Sequence, residues 1–208
     1  MKISNNISFG KTLVATCQLP TTDKKMCSAK IFELNSNEDK DYFEKLKTTP
    51  HWNGSKFLRS MDFLMKRGSI GKTNDTFSLE NGEGECLGYI SVITHEKPYN
   101  KKFIYSLETA PEYSVKNKNR KTKNVGQTLV AFIVNKAQQE NRDKVTTLAF
   151  DADERKFFKR NCKFKVGEES GYDFVLNKKH YSKFLEKHKE KTGSKISFII
   201  YQDKITAK

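Results

Sequence analysis

Lysine, asparagine and glycine crowd into one short stretch of this sequence, Lys121-Thr122-Lys123-Asn124-Val125-Gly126-Gln127. The next segment, Gln127 to Glu140, places Leu129, Val130, Ile133, Val134 and Ala137 on one face at helical spacing. A helix start carries unpaired N–H groups and the positive end of the helix dipole, so it can hold a phosphate. The basic loop delivers Asn124, Val125 and Gly126 to that start. Upstream, Phe103, Tyr105 and Leu107 alternate with their neighbours, which predicts a half-buried strand ending at Pro111. Strand, basic loop and helix together propose an anion cradle.

Other elements must position this unit. Lys11 to Leu19 is an apolar stretch closed by Pro20, expected to form a strand or hairpin arm outside the core domain. Ser28 to Leu34 alternates and opens the domain proper. Asn35 or Ser36 can cap a helix over 37–47 that turns Tyr42, Phe43 and Leu46 inward and is broken by Pro50. A second helix is expected over 56–66. Trp52, just before it, suits either the wall of a cleft or a plug at the helix junction. Thr76 to Glu80 and Cys86 to Thr94 are strands joined by Asn81-Gly82-Glu83-Gly84, a strong hairpin signal. Then come the strand to Thr109, the helix from Gln127, a strand at 145–150 and a helix at 152–161. The chain continues with strands at 163–166 and 172–176, a very basic helix at 178–191 and a strand at 196–201.

Composition narrows the partners. The chain has 208 residues and a formal net charge of +14, which suits one domain with added terminal pieces. Such a charge attracts polyanions: phosphorylated cofactors, RNA, DNA or acidic membranes. Hydrophobic residues are 36%, a low share, but 15 Phe and 8 Tyr argue against disorder. Cys17, Cys27, Cys86 and Cys162 form no C-x-x-C pair and have no histidine at zinc spacing, so no metal site is expected and reduced thiols in the cytoplasm are. No stretch reaches membrane-spanning length and no secretory signal is visible, although a non-cleaved signal would leave no such mark. Gly71-Lys72-Thr73 looks like the tail of a P-loop, but Lys66 stands where its first glycine belongs.

Leu107-Glu108-Thr109-Ala110-Pro111-Glu112-Tyr113 with the later Lys121 to Val130 resembles motif A of the GNAT acetyltransferases, whose loop reads Arg/Gln-x-x-Gly-x-Gly/Ala. Lys121 stands at the Arg/Gln position, Asn124 replaces the first glycine and Gly126 matches the second. Asparagine tolerates left-handed backbone angles better than most residues. From residue 28 to 176 the order β-α-α-β-β-β-α-β-α-β-β is also the GNAT order. The resemblance covers about three quarters of the chain. It implies an α+β fold of the α/β/α sandwich kind, with a mixed, mostly antiparallel central sheet and N- and C-terminal additions. Residues 1–26 would be an N-terminal arm, 27–176 the acyltransferase domain and 177–208 a basic helix and strand extension.

The resemblance also implies chemistry. Acetyl-CoA is the expected co-substrate, its pantetheine near Thr109. Lys121, Lys123 and the amides of Asn124, Val125, Gly126 and Gln127 would meet the pyrophosphate. Acyl transfer to an amine needs a base; Glu108 is the first candidate and Glu112 the second. The family's acid is a tyrosine in Phe-Tyr-x-x-x-Gly-Phe. The matching stretch, Phe157 to Phe164, puts Phe158 or Lys159 at that position and Cys162 or Lys163 at the glycine. Phe158 is assigned to the CoA site, and Tyr172 or Cys162 stand as substitutes for the acid. The acceptor is an amine, with tRNA or a ribosomal component favoured by charge. A different class stays open: a GNAT-like module without catalysis that binds nucleic acid through Lys178, Lys179, Lys183, Lys187, Lys189 and Lys191. A membrane-surface role for that helix is weaker, because its apolar face is thin.

Overall fold

The structure, a computed structural model, describes residues 11–34, 46, 52, 74–114, 117–118, 121–168, 170–193 and 196–199. The helices expected over 37–47 and 56–66 lie outside the described residues, apart from Leu46. That side chain and Trp52 are buried. Trp52 donates from Nε1 to the Cys86 carbonyl at 3.2 Å and meets Tyr89 edge-on, so it belongs to the core.

Among the described residues the strands are β1 (Thr12–Pro20), β2 (Met26–Leu34), β3 (Asn74–Asn81), β4 (Cys86–His95), β5 (Lys101–Thr109), β6 (Lys144–Leu148), β7 (Lys165–Val166), β8 (Asp173–Asn177) and β9 (Ser197–Phe198). They form one sheet in the order β7-β8-β6-β5-β4-β3-β2-β1-β9. Of these strand pairs only β5 and β6 are parallel. A parallel pair needs a crossover, and α1 (Val125–Gln139) supplies it. The other described helices are α2 (Ala152–Lys156), which runs on into a π-helical turn at Phe157–Asn161, and α3 (Tyr181–Thr192). The β3–β4 hairpin forms where Asn81-Gly82-Glu83-Gly84 predicts it. Asn81 Oδ1 accepts the amides of Glu83 and Glu85, and Gly84 takes φ +80°.

Two expectations change. The apolar stretch before Pro20 is a strand, as expected, but not an arm outside the core. β1 pairs with β2 over almost its whole length and turns Ala15, Cys17 and Leu19 into the common core. The alternation that marks it as a strand also gives it an apolar face to bury. Second, α1 is expected to bury one face and buries nearly its whole surface. The extension is the reason: Phe132 meets Phe77 of β3 and also stacks on Phe198 of β9, while Gln138 bonds Ser182 of α3. Covered on both sides, α1 is buried without a break from Val125 to Val134, and its exposed polar residues gather near its C-terminal end.

Candidate functional site

The site grows out of a split in the sheet. β5 and β6 pair only from Lys101–Lys144 to Ile104–Thr147, and Thr147 Oγ1 closes the ladder on the Ile104 carbonyl at 3.0 Å. Beyond that point β5 stays paired with β4 through Thr109, while β6 stays paired with β8 through Leu148. The two strands therefore part after Ile104, and β5 runs on from Tyr105 to Thr109 beyond its ladder with β6. On its other side β5 carries a bulge: Ser91 opposes Ser106 and Val92 opposes Ile104, so Tyr105 is the extra residue. The bulge corrects the sequence expectation that Phe103, Tyr105 and Leu107 share one face. Below it the buried side chains are Lys102 and Ile104; above it Leu107 and Thr109 take over the α1 side. Tyr105 and Leu148, the next residue on each strand past the split, leave apolar surface exposed at its mouth.

The N-terminus of α1 opens onto this split. A Cβ placed on Gly88 of β4 would lie 2.9 Å from Val125 and 3.3 Å from Leu129, so glycine is what lets the helix start sit directly on the strand. Asn124 is the N-cap residue and adopts φ +63°, the left-handed conformation that asparagine accepts better than most residues. Its side chain makes no capping bond, whereas Asp151 and Glu154 close a full capping box on α2. The first amides of α1, on Val125, Gly126 and Gln127, thus have neither an intrahelical acceptor nor a side-chain cap. Gly126 faces the split: its Cβ would sit 3.5 Å from Thr109 Cγ2 and 3.4 Å from the Phe157 ring.

The loop before the helix is strapped to the β1–β2 turn. Thr22 donates its amide to the Lys121 carbonyl at 3.0 Å, and Lys123 donates its amide to the Pro20 carbonyl at 2.8 Å. Lys121 is exposed, Lys123 half-buried. This contact has no signal in the sequence, because the partners lie about a hundred residues apart and the loop motif says nothing of what packs against it.

The other site residues sit at varying distances from the cradle. Glu108 lies on the split half of β5, half-buried and opposite the fully buried Tyr89. Strand alternation turns it to the face away from Thr109 and α1. Glu112 is exposed in a 3₁₀ turn, Pro111–Tyr113, after the strand has ended. Phe158 points into the core against Phe164 and Phe174, and it is Phe157 that reaches Gly126. The π-helical turn sets this arrangement, since its wider winding rotates the aromatic pair. It also presents the Asn161 carbonyl to the Gln127 side chain at 2.9 Å. Cys162 is sealed and burial pushes its thiol pKa up, which disfavours a thiolate nucleophile. Tyr172 is half-exposed beside Phe150 and the Arg155 guanidinium.

No protein-family model matches the chain, and no curated protein matches it in sequence. Solved structures do match. AtaTR bound with AcCoA superposes at a TM-score of 0.55 with 16% identity, over 74% of this chain and 96% of its own. A mutant of the spermidine N-acetyltransferase SpeG from Vibrio cholerae gives 0.50 at 13% identity, over 74% and 95%. An acetyltransferase of the GNAT family from Staphylococcus aureus gives 0.51 at 13%, over 72% and 99%. The chain has the GNAT fold. Within the GNAT fold, the split after Ile104 and the uncapped start of α1 fall where the motif-A resemblance placed its strand and loop. Lys163, one of the two positions at which the glycine of the second signature could fall, takes φ +59° although it is not glycine.

α3 connects to the cradle through Lys191, whose Nζ lies 3.3 Å from Gln127 Oε1. One helical turn before its end, His188 is buried, and its Nε2 has no hydrogen-bond partner among the described residues. Burial, with a smaller contribution from Lys191, lowers its pKa from 6.5 to about 4. The folded value lies below the unfolded one, so the unfolded chain takes up the proton first as pH falls. Stability from this source is complete above pH 6.5 and drains away between 6.5 and 4, by about 2 kcal/mol at pH 5. Urea titrations at pH 7 and pH 5 should register that loss, and His188→Gln should remove it. An unchanged pH difference in the variant would assign the effect elsewhere. Among the described residues no helix is long and apolar enough to cross a membrane.

Proposed function

We propose that the protein is an acetyl-CoA-dependent N-acetyltransferase acting on an amine. The observation that carries this reading is the coincidence, in a GNAT fold, of the split between β5 and β6 with the uncapped, unobstructed N-terminus of α1. The donor set fits acetyl-CoA. Amides of Val125, Gly126 and Gln127 would take the pyrophosphate, with Lys121 and Lys123 adding charge. The β6-facing edge of β5 at Thr109, past the end of the ladder, would bond the pantetheine amides as a further strand would. Acetyl-CoA supplies the acetyl group. AtaTR, a structural neighbour bound with AcCoA, supports the choice of donor.

Glu108 is assigned to take the proton of the acceptor's ammonium, directly or through a water. Glu112 stands second, being exposed and off the strand. With no tyrosine at the acid position and Cys162 sealed, the departing thiolate takes its proton from solvent. The acceptor is an amine: spermidine is the first small candidate, given the SpeG neighbours, and aminoacyl-tRNA or a ribosomal component the macromolecular one, given the +14 charge. The site of action is the cytoplasm, where acetyl-CoA is available.

The test is a titration of acetyl-CoA into the protein, then a thiol-release assay over an amine panel that includes spermidine, aminoacyl-tRNA and ribosomal proteins. Glu108→Gln should lower kcat by about 10²-fold with acetyl-CoA affinity unchanged. Equal kcat in the variant would remove Glu108 from the role of base. No acetyl-CoA binding at millimolar concentration would sink the enzyme reading. One observation favours a second reading: the acid is missing, and Lys183, Lys187, Lys189 and Lys191 are exposed along α3. Salt-sensitive RNA binding without acetyl-CoA affinity would then identify a nucleic-acid module.

A further inference from the structure

A second concavity lies beside the cradle, between α3, the π-helical turn and strands β7 and β8. Its volume is about 750 Å³, inside the range of small-molecule sites. Of the residues assigned to the cradle, only Gln127 lines it, through the side chain that bridges Asn161 and Lys191. Its polar wall carries six cations, Arg160, Lys163, Lys165, Lys183, Lys187 and Lys191, against one carboxylate, Glu190. None of the six forms an ion pair among the described residues, so their fields add within the cavity. Its apolar lining comes from Phe184 of α3 and from Val175 and Leu176 of β8. His188 lines the same cavity with its Nε2 unpartnered among the described residues.

Lys163 sharpens the picture. A lysine at φ +59° is held at a cost that glycine would not incur. Strain of that kind persists where the side chain has a use, and this side chain is one of the six around the cavity.

We infer that this cavity binds a phosphorylated small molecule of nucleotide size, at a site separate from the acetyl-CoA cradle. Two or more phosphates would answer the cationic wall, and a flat ring system would pack on the apolar lining beside Phe184. Arginine and lysine suit phosphate by charge and by donor geometry. The Gln127–Lys191 bridge makes this ligand a neighbour of the α1 N-terminus without sharing its amides.

The experiment titrates the full-length protein with ATP and, separately, with tripolyphosphate, both without acetyl-CoA and with acetyl-CoA saturating. The expected result is one site for each probe that survives acetyl-CoA. ATP should bind more tightly than tripolyphosphate, because only ATP can use the apolar lining. Lys183→Glu and Lys163→Gly should each weaken both probes about tenfold or more and leave acetyl-CoA binding within about twofold. Lys163→Gly also guards against a folding artefact, since glycine relieves the strained angle. Three outcomes would overturn the inference. Neither probe binds; or acetyl-CoA displaces them one for one, making the cavity part of the cofactor's own site; or only an RNA oligonucleotide binds in a Lys183-dependent way. Because Lys183→Glu and Lys163→Gly mark the cavity, while acetyl-CoA binding at the α1 amides is read in its own titration, failure of this inference is distinct from failure of the acetyltransferase reading.

Discussion

Gly126→Trp is expected to lower acetyl-CoA affinity by about 10³-fold, whereas Gly126→Ala should change it by no more than about threefold. The difference comes from where the missing side chain would point. A single Cβ at this position stands 3.4 Å from Phe157 and 3.5 Å from Thr109, ordinary contact distances. Gly126 has no positive φ, so space and not backbone freedom is the constraint. An indole continuing from that Cβ would fill the gap between α1 and the half of β5 beyond the split. The pyrophosphate would then lose its approach to at least two of the three uncapped amides. Charge-assisted bonds of this kind are worth about 1.5–3 kcal/mol each, and losing two gives the stated factor. Calorimetric titration of the three proteins, beside thermal melts showing that each is folded, makes the measurement. Equal affinity in the Trp variant would move the cofactor away from the α1 N-terminus and remove the central support for the proposed function.

The parts of this site visible in the sequence are those specified by local chemistry. Asn124 can be assigned a left-handed role because asparagine is among the few residues that accept it, and it takes φ +63°. The Asn81–Gly84 turn and the order of elements are legible for the same reason. The hidden parts depend on partners distant in the chain. The Tyr105 bulge cannot be read from alternation, because a bulge appears only when β4 sets the register. Phe157 and Phe158 are adjacent and chemically alike, and only the π-helical winding decides which one meets Gly126. The second buried face of α1 is hidden because the residues that cover it, Phe198 and the start of α3, lie in the extension outside the resemblance.

The terminal additions therefore bear on the proposed chemistry. β1 holds the loop through Pro20 and Thr22, and α3 holds Gln127 through Lys191. A loop fixed before its ligand arrives loses less entropy on binding. In this chain that rigidity comes from backbone pairing rather than from the loop's own glycines, which fits the replacement of one of them by Asn124.

At the far end of α1, Glu140→Gln should destabilise the fold by about 3 kcal/mol, more than Lys102→Met does, and neither should alter acetyl-CoA affinity. Lys102 is 1% exposed, with Nζ 2.9 Å from Glu140 Oε2, 3.8 Å from Asp75 and 2.9 Å from Thr94 Oγ1. Removing the glutamate charge leaves a sealed ammonium whose nearest counterion is the more distant Asp75, which is 39% exposed. Removing the lysine is milder, because Glu140 is 29% exposed and keeps Lys136 at 3.2 Å and Arg142 at 3.3 Å. A methionine can fill the lysine's channel with little loss of packing. Burial by itself would raise the Glu140 pKa, but its bond to Lys102 and the charges of Lys102 and Lys136 outweigh it and hold the value below 4.5. The folded value is the lower one, so this contribution is present above pH 4.5 and lost as pH falls through the folded pKa. The α1 axis puts roughly 20 Å between this cluster and the cradle. Urea midpoints should thus separate the two variants while calorimetry with acetyl-CoA does not. A Lys102→Met loss as large as that of Glu140→Gln would contradict the asymmetry, and a shared loss of acetyl-CoA affinity would mean that α1 transmits disorder along its whole length.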